Sequence, residues 1–185
     1  MQDFIITQKN NIWWGMFPRL MQAGFGNACS CRLHGESDMV PGTLNLALHV
    51  GDEVELVLQN RRLFAQALGL DASKFTTCEQ VHGSNVAVVD EALVGAGATT
   101  LADTIKDTDA LVTNLANVPL LLFLQTACHC FSPTSAKRVR CGTRRLARYG
   151  STDWAQYCRS YAAILRLPSR RYRCGDWSFY RPMLL

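Results

Sequence analysis

With 185 residues, 48% of them hydrophobic, the chain has enough apolar material for one cored domain, or one domain with an appendage. Its longest apolar run, VPLLLFL at 118–124, is far short of the roughly 20 residues that cross a bilayer, which excludes a membrane-spanning helix. The net charge of +4 conceals a division: residues 1–127 hold seven Lys/Arg against thirteen Asp/Glu, and residues 128–185 hold twelve against two.

The opening MQDFIITQKNN has an acid at its third position and no apolar signal region, so a cytoplasmic protein is expected. Eight Cys (29, 31, 78, 128, 130, 141, 158 and 174) are expected as reduced thiols in that setting. No C-x-x-C pair occurs, and the C-x-C pairs Cys29/Cys31 and Cys128/Cys130 are weak zinc signals. DFIIT at 3–7 reads as a first strand, and residues 20–43, rich in Gly, Cys, Ser and His, read as a loop. A helix is predicted over about 53–68. Asp52 is placed to cap it with Glu55 three residues on, Val54, Leu58, Phe64 and Leu68 form its apolar stripe, and Gly69 ends it. Arg61 and Arg62 read as its solvated face. Strands are predicted at 84–90, 109–113 and 118–126, the last almost wholly apolar and therefore central and buried on both faces. Beyond residue 127 only DWAQYCRSYAAIL (153–165) keeps a helical pattern.

Three stretches could carry chemistry. TLNLALHVGDE (43–53) sets Asn45, His49 and Asp52 about a turn into the helix. CEQVHGSNV (78–86) puts His82 in a loop before a strand. LFLQTACHC (122–130) ends the apolar strand with Cys128 and Cys130, where sheets of α/β type display reactive groups. His and Cys from separate strand ends suit zinc or copper. By spacing alone, however, His82 is more often a surface-loop histidine and Cys128 more often a small buried hydrophobe. Asn45 and Asp52 are equally turn and cap residues, and His49 a structural one. The residues by themselves leave the function open.

LNLALHVGDE, NRRLFAQALGL, EQVHGSNVAVVD and DALVTNLANVPLLLFLQTAC, in that order over about residues 40–128, closely resemble the laccase-domain family, also called the polyphenol oxidase or YfiH-like family. The resemblance implies an α+β fold, a mixed sheet with packed helices, and a cytoplasmic enzyme that phosphorolyses adenosine, inosine and methylthioadenosine. Deamination of adenosine is a further implied activity, and copper-dependent phenol oxidation an alternative one. It also implies a metal, zinc or else copper, held by a His of QVHG, a Cys of TADC and a His of HAGWRG. The first two fall on His82 and Cys128, and Asn45 is a candidate substrate contact. Such a three-ligand site leaves a position open for water. This chain departs from the pattern in reading TAC for TADC, and its STRxGG-like segment is blurred at GFGNACSCRLHGES (24–37).

HAGWRG itself is absent. Where it is expected, the chain reads CGTRRLARYG (141–150). Written in suitable codons and read one base later, that stretch spells AVHAGWRGT; Tyr172 to Leu185 treated likewise spell IVAAIGPSIGPCC, another signature of the family. The expected organisation is therefore an N-terminal part of one laccase-type domain, residues 1–127, followed by a frame-shifted tail, residues 128–185, with the lesion near codons 127–130. GC-rich codons read out of frame yield Arg, so the basic tail need not signify a nucleic-acid partner. The partners expected are a purine nucleoside and phosphate, with no membrane. His129, Cys130, Cys141, Cys158 and Cys174 then carry no selected role, and the fold is expected to be incomplete at its C-terminus, with poor solubility and little activity. The remaining reading, from another class, is a non-enzymatic product whose basic tail binds nucleic acid.

Overall fold

The computed structural model describes residues 4–39, 42–123, 127–133 and 139–145, the last two stretches as backbone only. The expected helix at 153–165 lies outside them. Where one opening strand is predicted, the chain forms a hairpin of β1 (Ile5–Lys9) and β2 (Ile12–Met16), joined by Asn10 and Asn11 at φ 52° and 64°. Two consecutive left-handed residues are the geometry of a tight hairpin turn, and Asn tolerates it better than most residues. Pro18 starts a short helix, α1 (Pro18–Gln22), and β3 (Cys29–Ser30) adds to β2, so the stretch expected as loop carries two small elements.

The long helix α2 (Val54–Leu68) forms as predicted and ends at Gly69, whose φ of 72° is easy for glycine. Its start and its buried face differ from expectation. Glu53 is the N-cap and makes no side-chain cap bond, while the Asp52 carboxylate accepts from the Glu53 amide and from Asn45 Nδ2. The buried stripe runs through Val57, Asn60, Arg61 and Phe64, while Val54 is exposed. Two polar side chains on the inward face thus displaced the apparent apolar phase by one position.

β4 (Val86–Val88) and β5 (Ala110–Thr113) pair in parallel, and β7 (Val139–Arg145) runs antiparallel to both β5 and β6 (Ala127–Pro133), giving the order β4-β5-β7-β6. The sheet is mixed, as expected, and β5 is buried throughout. The central strand predicted at 118–126 does not form over its described part. Leu120 makes a single parallel bridge to Thr76, and the chain then leaves the ladder. This apolar run packs through side chains instead. Leu122 joins Cys78, Val89 and Leu111 in one core cluster, while Leu121 and Phe123 lie against the other, built on Ile12, Trp14, Leu44, Leu46, Phe64 and Phe75.

Candidate functional site

The stretch around His82 is stitched to the approach of β5. Glu79 N donates to Ile105 O at 2.8 Å, Asp109 N donates to Asn85 O at 3.0 Å, and Asn85 Nδ2 donates to Asp107 O at 2.8 Å. At its crest His82 takes a left-handed conformation, φ 61°, which costs a non-glycine residue on the order of 1–2 kcal/mol. Asp109 offsets that cost. Its Oδ1 accepts from His82 N at 2.6 Å and its Oδ2 from Gly83 N at 2.7 Å, and hydrogen bonds to a charged acceptor contribute about 1.5–3 kcal/mol each. The His82 side chain is exposed, whereas Asp109 is fully buried. Beside Asp109, the Cys78 thiol is pushed up to about 12 by burial and by the neighbouring carboxylate, so it is a neutral core group and not a nucleophile.

Register places Cys128 at the same end of the sheet. Cys130 and Ala110 both pair with Gly142; Cys128 pairs with Arg144, two positions further toward the end that Asp109 leads into. Cys128 lies two strands from β5, roughly 10 Å at the ~4.8 Å strand spacing. His82 and Cys128 therefore share an edge at the N-terminal end of β5, not the strand C-termini expected from the sequence. Among the described residues, no three His, Cys, Asp or Glu side chains converge as a metal site. Of the ligand set implied by resemblance, His82 and Cys128 are placed at this sheet end, Cys128 by backbone register alone, and no chemical step is assigned to a metal.

The loop before α2 reaches the same neighbourhood. Gln80 binds the Phe123 backbone both ways, accepting from its N–H at 2.9 Å and donating to its carbonyl at 3.3 Å. The His49 ring stands edge-on to the Phe123 ring, centroids 5.0 Å apart, and the Arg61 guanidinium lies 5.9 Å from the Phe123 centroid. Burial, then the Arg61 charge, hold the His49 imidazole below its usual pKa, favouring the neutral ring. Asn45 is buried and works as a turn residue. Its Oδ1 accepts from Ala47 N, and its Nδ2 donates to Ala47 O and to Asp52 Oδ2 at 2.8 Å. The Asp52 carboxyl is held below the usual range, first by Ser37 and further by Asn45, the Glu53 amide and Arg32.

Two residues behind this loop escaped the sequence reading. Arg61, expected on a solvated face, is 1% exposed: the polar rows of a helix usually face water, but this side chain finds backbone carbonyls inside. Its Nε donates to Leu46 O at 2.8 Å and its Nη1 to Gly97 O and Ala98 O at 2.6 and 2.7 Å. Asn60 accepts from Glu36 N and donates to Ser37 Oγ, Thr43 O and Asn45 O. The usable signal was their spacing, since Val57, Asn60, Arg61 and Phe64 follow an i, i+3, i+4, i+7 row. Arg62 alone is solvated, paired with Glu55 at 3.1 Å.

A long helix packed on the β1-β2-β3 sheet, beside a mixed sheet with a histidine loop at one strand end, makes an α+β domain of the laccase-like, YfiH type. The sequence model of the family described as multi-copper polyphenol oxidoreductase laccase matches residues 26–131, and the chain belongs to that family. It is 39% identical over 88 residues to a protein named purine nucleoside phosphorylase YlmD from Geobacillus stearothermophilus, an alignment covering 48% of this chain and 32% of that protein. A second relative, named purine nucleoside phosphorylase YlmD from Bacillus subtilis, is 31% identical over 121 residues, 65% of this chain and 40% of its own length. The crystal structure of YlmD from G. stearothermophilus superposes with a TM-score of 0.68 at 31% identity, covering 76% of this chain and 52% of that one. The chain thus spans about half the length of these relatives or less. Among the described residues no helix is long and apolar enough to cross a membrane.

Proposed function

We propose that the chain is the leading part of a purine nucleoside phosphorylase, with adenosine, inosine and methylthioadenosine as substrates and phosphate as the attacking group. The observation that carries this reading is the 39% identity over 88 residues to a protein of that name, beside a family match over residues 26–131 that takes in the His82 loop and β5. In the reaction, phosphate oxygen bonds to ribose C1′ as the bond from C1′ to the purine nitrogen breaks, and the base departs with a proton. His82 and Cys128 are the two surviving members of a zinc-binding set whose third member, a histidine, is encoded one register over. Adenosine deamination by the same site belongs to this reading. Asn45 shapes the 43–52 loop; direct contact with substrate would require it to exchange one of its internal bonds.

The family match stops at residue 131, within a few residues of codons 127–130, and this supports the view that residues 128–185 are translated out of frame. The chain as it stands is then a weak enzyme at best. The test compares it with a frame-restored chain, both given adenosine and phosphate. Adenine and ribose 1-phosphate are expected from the restored chain and abolished by His82→Ala, with little product from the original. If the restored chain makes neither product, the reading is wrong. Copper-dependent phenol oxidation, the second reading, is favoured by the family's description, and would show as phenol turnover on adding copper. Salt-sensitive binding of RNA or DNA by the tail would instead support an interaction protein.

A further inference from the structure

The His82 turn has an unusual foundation. Its two consecutive amides both end on one carboxylate, that of Asp109, at 2.6 and 2.7 Å. That carboxylate is 0% exposed and pairs with no Lys or Arg among the described residues. Asp109 is itself fixed, since its amide donates to Asn85 O and the next residue opens β5, a strand paired with β4 on one side and β7 on the other. Gly83 belongs to the same device: a Cβ there would stand 3.2 Å from Asp109 Oδ2, a distance only glycine avoids without moving the acceptor. A left-handed histidine persists where its surroundings over-determine the backbone, and Asp109 is the group that does so.

We propose that Asp109 is a positioning residue for His82: by holding both amides it fixes where the imidazole stands at the sheet end that also carries Cys128. The proposal rests on the reading of His82 as a site residue, but not on any reaction. Asp109→Asn offers one acceptor and turns an NH₂ toward an N–H donor, so one leg of the clamp is lost with little change in volume. Gly83→Ala presses on the other leg and keeps the charge. Val112→Ala, a cavity in the same strand at a fully buried position, serves as a control that destabilises without touching the clamp.

The experiment records, for the full chain and each variant, the thermal midpoint, the imidazole carbon–proton NMR cross-peak of His82, and the rate of its acylation by diethyl pyrocarbonate. His34, exposed and in another loop, is the internal reference. Asp109→Asn is expected to shift the His82 cross-peak and change its rate several-fold relative to His34, and Gly83→Ala to do so by less. Val112→Ala should lower the midpoint and leave both ratios alone. Equal effects of Asp109→Asn and Val112→Ala would overturn the proposal, as would an unmoved His82 signal in both clamp variants. Should Asp109→Asn fail to fold, Gly83→Ala decides alone. These readouts need no turnover, so a frame-restored chain that makes no product, beside a moved His82 signal in the clamp variants, would defeat the phosphorylase reading while leaving the clamp intact.

Discussion

Replacing Arg61 by Met keeps most of the stem's packing and removes the guanidinium. Three carbonyls, those of Leu46, Gly97 and Ala98, then lose the donor that the structure gives them. An unsatisfied buried carbonyl costs about 1–3 kcal/mol, so the gross loss is roughly 3–9 kcal/mol. Part is returned, because the charge no longer has to be desolvated and because Nη2 of Arg61 is already buried without a hydrogen-bond partner among the described residues. Burial lowers the Arg61 pKa to about 10, still high enough for the side chain to be charged at neutral pH. A net loss of about 3–5 kcal/mol is in line with removing one member of a buried charged network. At ~2–4 °C per kcal/mol for a domain of this size, the midpoint should fall by about 6–20 °C. Urea unfolding with matched thermal scans measures it. Arg62→Met, which removes a pair exposed on both sides, is the control and should cost less than about 1 kcal/mol. Arg61→Met indistinguishable from Arg62→Met would refute the idea that this side chain staples the 46 and 97–98 loops to α2.

His49, whose pKa is lowered by burial and by Arg61, resists protonation in the folded state while the unfolded chain takes up its proton near 6.5. Stability should therefore fall as pH drops through and below 6.5, and His49→Phe should remove that slope in urea titrations; a slope that persists in the variant would assign it elsewhere. Asn11→Gly relieves a left-handed residue in the β1–β2 turn and should raise stability by roughly 0.5–1 kcal/mol, read from the urea midpoint. No change, or a loss, would contradict that turn geometry. Cys78, buried and with its thiol pushed up to about 12, should resist iodoacetamide at pH 8 under native conditions while Cys29 and Cys31, both half-buried, react first; early labelling of Cys78 by mass spectrometry would argue against its place in the core.

The parts of the fold that could be read from the sequence are those set by local rules. Gly69 ends α2 as expected because a left-handed terminus needs little more than its own residue, and β5 forms because Ala110, Leu111 and Val112 are apolar and lead out of a turn. The apolar run at 118–123 was misleading because burial and strand pairing are separate properties: Leu122 is buried by side-chain packing while the backbone leaves the ladder after Leu120. The spacing of Arg61 with Val57 and Phe64 marks it for the inward face, but its partners, carbonyls 15, 36 and 37 residues away, have no local signal, so its charge read as solvated. His82 stood out as a motif, but its support did not. Asp109 lies 27 residues further along the chain, and the parallel pairing of β4 and β5, with the bonds that stitch 79–85 to 105–109, brings the two together.

The nucleotide sequence across codons 120–150 of this gene tests the account at its root. If residues 141–150 come from a displaced frame, the bases must spell AVHAGWRGT one position later, and a single correction near codons 127–130 must restore the family pattern through to the C-terminus. If the neighbouring register reads otherwise, the missing histidine was never encoded there, and the assignment of His82 and Cys128 to a broken nucleoside phosphorylase site falls with it.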